Sequence, residues 1–278
     1  MDATGVYLYC FTRAGAARKI AAAGVDERSV VTALEGSAAA AVFSTVAIHE
    51  FTGDAAAPGE QDPQQLVLRV CRHEQVIEEV MREAPVLPVR FGTVFSSGQL
   101  LEKFLAGKEQ EVARILDRIS DKEEWAVKGF LDGARATEWL MASDPVLAES
   151  RRQLPAAAGA RYLRQKRLDA QAEEALRLWR RELLDQVQSR LEPHAVDASA
   201  IRLQPGNVTG RTDEMVLNVA YLMLKSSLAA FRKEVESLGN AYAQQGLTLE
   251  LTGPWPPYNF CPPLREGQDE ALGVRRDT

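Results

Sequence analysis

Leu247-Thr248-Leu249-Glu250-Leu251-Thr252-Gly253-Pro254-Trp255-Pro256-Pro257-Tyr258-Asn259-Phe260 is the stretch on which the reading of this chain turns. Its first half alternates apolar and polar residues, the period of a half-buried strand. No helix runs through the second half, because each proline removes a backbone donor and fixes φ. A strand that stops in a stiff, aromatic-studded loop holds large apolar groups at a fixed spot with little flexibility to lose. Two readings of the loop stay open. It covers a core or fills a groove between domains, or it is a surface anchor, since rigid Trp and Tyr side chains are frequent interface hot spots. Trp255, Tyr258 and Phe260 are the candidate packing or partner-binding residues here.

Working upstream, a helix is expected over 229–245 with Gly246 as its cap, preceded by strands near 200–203 and 215–224. Before them, Leu168, Ala172, Leu176, Trp179, Leu183, Val187 and Leu191 step by three or four residues. That spacing draws one apolar stripe along a long helix over 158–192, stopped by Pro193. Arg161, Arg164, Lys166 and Arg167 crowd its start. They read as a solvated face or as a patch for acidic partners. The sum is a C-terminal α+β domain over 158–263 in the order α-β-β-α-β. Residues 133–157, with Gly133, Asp144-Pro145 and Pro155, read as the boundary segment. Residues 264–278 are polar and read as a frayed tail.

The first 132 residues read as a separate α+β domain. Strands are expected over 6–11, 29–34 and 40–48, with Glu35-Gly36-Ser37 as a turn. A polar loop over 53–63 follows, with Asp62 as a helix cap and Pro63 at the first helical position. The helix over 63–84 carries Leu66, Val67, Val70, Ile77, Val80 and Met81 on one face, and Pro85 ends it. Residues 86–95 read as one strand, 97–119 as helix and 125–131 as the last strand. This pattern predicts a sandwich with helices on one face of a mostly antiparallel sheet.

Composition narrows the function. The 278 residues are 46% hydrophobic and 26% charged, with net charge −6, a globular balance that argues against nucleic acid as the main partner. No apolar run reaches the ~18 residues that span a bilayer, so no membrane role is expected. Cys10, Cys71 and Cys261 are widely spaced and the chain opens without a signal-like segment, which predicts reduced thiols in the cytoplasm. No zinc-protease, nucleophile-elbow, phosphate-loop or dinucleotide motif occurs, so no catalytic, metal or cofactor residue is assigned. Glu78-Glu79 and Glu123-Glu124 are adjacent pairs that diverge on a helix and read as solvated faces. His73 lies between Val70 and Ile77 at helical spacing and reads as a partly buried histidine bonded to a neighbouring loop, or as a functional one. In Val86-Leu87-Pro88-Val89-Arg90-Phe91-Gly92-Thr93, a strand would send Val89 and Phe91 one way and Arg90 the other. The five donors of Arg90 then meet an internal ion pair or a helix C-terminus, or else an anion or partner carboxylate.

His73 with Val76-Ile77, the octet from Val86 to Thr93, Tyr162-Leu163 at the head of the long helix, the strand Asn218-Val219-Ala220-Tyr221-Leu222 and the octet from Gly253 to Phe260 together resemble the gas vesicle protein F/L family. The resemblance runs from about residue 5 to residue 261. It implies an N-terminal domain of modified ferredoxin-like fold and an α+β C-terminal domain. It implies a non-enzymatic accessory protein that binds the hydrophobic major shell protein, prevents its aggregation and assists vesicle nucleation, as a cytoplasmic factor or a minor vesicle component. Other gas vesicle accessory proteins are the further implied partners. Arg90, Phe91, His73, Trp255, Tyr258 and Phe260 are the candidate structural or partner-binding residues. The alternative is a regulatory module that binds a small ligand, by analogy with other ferredoxin-like domains.

Overall fold

Thr4–Arg13 forms β1, the strand around which the first half of the protein is built. The computed structural model describes residues 4–17, 20–51, 63–262 and 264. Of the loop expected over 53–63, residues 53–62 with the Asp62 cap lie outside these residues, as does the tail beyond Leu264. After β1 come β2 (Val31–Glu35), β3 (Ala39–Ala47), α1 (Pro63–Glu83), β4 (Val86–Pro88), β5 (Val94–Phe95) and α2 (Gly98–Ile119). The sheet runs β2-β3-β1-β4, each neighbouring pair antiparallel, with β5 also antiparallel on β1.

Side chains of β1 alternate between two cores. Val6 and Leu8 pack with Leu101, Leu105, Val112 and Leu116 of α2. Tyr7 and Tyr9 pack with Val76, Ile77 and Val80 of α1. A bulge between Leu8 and Cys10 then changes the parity, so Cys10 joins Tyr7 and Tyr9 while Phe11 rejoins Leu8. The helices therefore cover both faces of the sheet, not one. The reason is legible in β1 itself: eight consecutive residues, Val6 through Thr12 among them, are buried, as a strand covered on two sides requires.

Two expectations for this half are corrected. On α1 the buried residues are His73, Val76, Ile77 and Val80, spaced i, i+3, i+4, i+7. Leu66, Val67 and Val70 are exposed, because the first turns of α1 carry no buried side chain. The strand expected over 86–95 is broken: β4 and β5 are separated by a turn at 89–93 that faces the β1 bulge. Gly92 sits in that turn at φ 84, a conformation glycine adopts without steric cost.

The second half contains β6 (Lys122–Leu131), α3 (Gly133–Ser143), α4 (Pro145–Arg152), α5 (Ala158–Leu191), β7 (Asp197–Ala200), α6 (Gly206–Thr209), β8 (Glu214–Leu224), α7 (Leu228–Tyr242) and β9 (Leu247–Trp255). Its sheet runs β7-β8-β6-β9. The strand expected to close the first domain thus pairs in this second sheet. Leu183, Val187 and Leu191 of α5 and Phe231, Val235 and Leu238 of α7 pack with Trp125, Val127 and Leu131 of β6. Residues 133–157, read as a boundary from their Gly and Pro content, hold two capped helices: Asp132 accepts from Arg135 N, and Asp144 accepts from Val146 N and Leu147 N. Leu140, Leu147, Leu168 and Ala172 form a small core among α3, α4 and α5.

The chain divides into two compact units, residues 1–123 with 255–278, and residues 124–254. The second unit is inserted in the first, in place of the tandem boundaries at 132 and 158. One member of each acidic pair departs from the solvated face that was expected. Glu79 accepts from Ala21 N and Ala22 N at 2.6 and 2.8 Å, and Glu124 is buried.

Candidate functional site

Within the first unit, the turn at 89–93 and the segment 256–264 meet. The turn is held by backbone bonds, Val89 N to Tyr9 O at 3.0 Å and Leu8 N to Thr93 O at 2.9 Å, and by Thr93 Oγ1 donating to Arg90 O at 2.7 Å. The C-terminal segment is pinned at several points. Arg118 of α2 donates to the Phe260 carbonyl, Phe260 and Leu264 are buried, and the Tyr258 hydroxyl donates to Glu74 Oε1 at 2.9 Å. Leu264 thus belongs to the α2-side core and is not part of a frayed tail.

On the α1 face, His73 is fully buried and sits at the centre of a hydrogen-bond network. Its Nε2–H donates to Val89 O at 3.2 Å and lies 3.3 Å from the Tyr258 hydroxyl. Nδ1 then accepts from the Tyr7 hydroxyl at 3.0 Å, and that oxygen accepts from Gly92 N at 3.0 Å. The tautomer follows from these partners. Tyr9 stacks on the imidazole at 5.7 Å, and Phe91 and Tyr7 meet it edge-on. Burial lowers the His73 pKa to about 4 against the smaller opposing effect of the Val89 hydrogen bond. Burial also raises the phenols of Tyr7 and Tyr258, and raises Glu74 despite its bond from Tyr258. The imidazole is neutral near pH 7, and its two nitrogens are engaged inside the protein. The arrangement locks four pieces of chain together: β1, α1, the turn and the C-terminal segment.

On the α2 face, the same turn and segment border a cavity of about 270 Å³. Leu8, Phe11, Leu87 and Phe104 give it apolar walls, and Tyr258, Cys261 and Leu264 close one side. Phe104 stacks on Phe11 at 6.1 Å and tilts against Phe95 at 5.5 Å. Arg90 lies at its rim and is exposed, with no ion-pair partner among the described residues. Among the described residues Arg90 therefore stays outside the core, because the backbone turns at 89–93 before a strand can carry the side chain inward.

The structure thus brings His73, Arg90, Phe91, Tyr258 and Phe260 into one region. Trp255 stands apart from that packing, 43% exposed, while Pro256 and Pro257 are buried. Within the expected loop, Phe260 is thus buried and Trp255 exposed. Sequence reasoning missed Tyr7, Glu74 and Phe104. The signal for Tyr7 was present: a tyrosine inside a wholly apolar strand needs a partner for its hydroxyl. Among the described residues no group of three His, Cys, Asp or Glu side chains comes together to hold a metal ion.

Comparison with known proteins gives a consistent result. A family model described as "Gas vesicle synthesis protein GvpL/GvpF" matches residues 5–262. Gas vesicle protein L2 of Halobacterium salinarum is 28% identical over 270 residues, covering 94% of this chain and 92% of that protein. Gas vesicle protein L of a Streptomyces species is 29% identical over 196 residues, covering 68% of this chain and 67% of that one. The crystal structure of gas vesicle protein GvpF from an Anabaena species superposes with a TM-score of 0.70 at 19% identity, over 93% of this chain and 98% of that one. GvpF from Microcystis aeruginosa gives 0.63 at 20% identity, over 93% and 99%. At those identities the structural likeness establishes the fold.

Proposed function

We propose, from the premise that this chain belongs to the GvpL/GvpF family of gas vesicle synthesis proteins, that it binds the hydrophobic major shell protein, keeps it from aggregating and hands it on during vesicle nucleation. Membership supports an accessory role in gas vesicles. The finer reading rests on one observation: an apolar cavity, walled by Leu8, Phe11 and Phe104, with the exposed Arg90 at its rim. Such a site accepts an apolar side chain of a partner and pairs a neighbouring carboxylate. A subunit that must polymerise exposes apolar surface and unpaired strand edges beforehand, and such surfaces aggregate. We read the protein as non-catalytic, because the ionisable groups that do converge, His73, Tyr7, Tyr258 and Glu74, are spent on one another. It would act in the cytoplasm and at the vesicle, with other gas vesicle accessory proteins as further partners. No helix among the described residues is long and apolar enough to cross a membrane.

Co-expression with the major shell protein tests this. The wild type should recover shell protein in a pull-down and keep it from sedimenting. Arg90→Ala should lose most of that recovery at an unchanged melting temperature. Absence of shell protein from the wild-type pull-down would sink the reading. A second reading, a small-ligand module, is favoured by the apolar walls of the cavity with Arg90 beside them, though its volume of about 270 Å³ lies just below the usual range for small-molecule sites. Stabilisation of the protein by a metabolite in a thermal-shift panel, lost in Arg90→Ala, would favour it instead.

A further inference from the structure

The start of the longest helix is left unused by that reading. The first ten residues of α5, 158–167, carry no buried side chain; the first one is Leu168. At 1.5 Å rise per residue this is about 15 Å of helix without a buried side chain. Six of the chain's 33 basic residues, Arg151, Arg152, Arg161, Arg164, Lys166 and Arg167, fall within 151–167, and no acidic residue falls among them. An even spread would place about two there, in a protein whose net charge is −6. Arg152 pairs with Glu149 at 3.4 Å. Among the described residues the other five cations have no ion-pair partner.

The apolar residues in this stretch are placed against any core role. Leu168 and Ala172 mark the buried face of α5. At about 100° per residue Leu163 points nearly opposite to both, between Lys166 and Arg167. Tyr162 lies to one side, with Lys166 6.0 Å from its ring. Leu163 is 64% exposed and Tyr162 63%. An aliphatic and an aromatic side chain therefore sit on a helix surface surrounded by cations.

We propose that this head of α5, with the adjoining end of α4, is a docking surface for a protein partner that presents a carboxylate-rich segment bearing an apolar residue. The partner's carboxylates pair with Arg164, Lys166 and Arg167, and its apolar residue covers Leu163. The complementarity of charge selects this occupant. An anionic membrane needs an apolar face along the length of the helix, whereas here cations surround two apolar residues. A long nucleic acid would meet the repulsion of the acidic remainder. The inference does not depend on shell-protein binding, which was assigned to the other unit.

The test uses the full-length protein and a fluorescent synthetic helical peptide rich in Glu with a central Leu, read by anisotropy. Its comparators are the same peptide with Lys for Glu, phosphatidylserine vesicles and single-stranded DNA. The acidic peptide should bind best, and salt should weaken it. The variant Arg161→Ala/Arg164→Ala/Lys166→Ala/Arg167→Ala should weaken it by about tenfold or more, the sum of several modest surface pairs. Alanine preserves the helix, so the melting temperature should hold. Leu163→Ala should weaken binding while leaving its salt dependence intact. Equal binding by the fourfold variant, no binding of the acidic peptide at low salt, or tighter binding of vesicles or DNA would each overturn the proposal. Were the fourfold variant unfolded, Lys166→Ala with Leu163→Ala decides the matter by the same readout.

Discussion

His73 is neutral near pH 7 because burial disfavours the charged imidazolium, and its Nδ1 accepts from the Tyr7 hydroxyl. A histidine whose pKa falls from the ordinary 6.5 to about 4 on folding takes up a proton more readily in the unfolded chain. Its contribution to stability is therefore complete above about pH 6.5 and is lost as the pH falls toward 4, by about 3 kcal/mol at most. Glu74, whose pKa is raised by burial, works in the opposite sense. Comparing variants isolates the histidine. Urea unfolding at pH 7 and pH 4.5 should show a marked loss for the wild type and a smaller one for His73→Gln, which starts less stable. Tyr258→Phe removes the bond to Glu74 and should cost about 1–2 kcal/mol, since it leaves a half-buried carboxylate short of a donor. Trp255→Ala should cost about 0.5–2 kcal/mol, less than truncation of a core tryptophan, since the indole is 43% exposed and only partly packed. From sequence, His73 was legible as buried and bonded to a nearby loop. Its bond partner 185 residues away was not, because nothing local in Glu74 or Tyr258 records that the chain returns.

At the scale of elements, the periodic signals held where an element is packed along its length. In the apolar stripe of α5, Leu168, Ala172, Leu183, Val187 and Leu191 are buried and Leu176 and Trp179 partly so, and α2 begins at Gly98 with Ser97 as its cap, accepting from Leu100 N. They failed where tertiary packing decides. Leu66, Val67 and Val70 fit a stripe on α1, yet only its second half has a sheet to cover it. The octet Val86 to Thr93 has strand composition, but the bulge in β1 leaves no partner in register there. The strand expected to stop before Gly253 runs on to Trp255, so the first three residues of the expected stiff loop belong to β9. Gly253 has φ 139, and a Cβ there would lie 3.0 Å from the Glu124 carbonyl oxygen and from the Trp125 ring. Gly253→Ala should therefore cost about 1–3 kcal/mol through strain and a displaced β6. Denaturant midpoints compared with a neutral surface substitution would measure it; an unchanged midpoint would show that β9 can shift freely.

At the scale of the molecule, the two-unit, α+β reading was legible from alternating strand and helix signals, while the order of assembly was hidden. A tandem arrangement would make residues 255–278 an appendage of the second unit. The observed division gives them to the first, where Phe260 and Leu264 are buried and Tyr258 reaches Glu74. Composition cannot reveal this, because a segment's ownership depends on which core it fills. The consequence concerns stability. Deleting residues 256–278 takes the Phe260 and Leu264 side chains from the α2-side packing, each worth about 1.5–3 kcal/mol when fully buried, and opens the His73 network. The loss should fall on the unit whose first strand lies at the opposite end of the chain, and spare the unit that directly precedes the cut. Hydrogen exchange on the truncated protein should show faster exchange in β1, α1 and β4, with β6, β8 and α7 protected as before. Deprotection confined to β8 and β9 instead would return the segment to the second unit and remove the structural basis for treating Tyr258 as part of the Arg90 site.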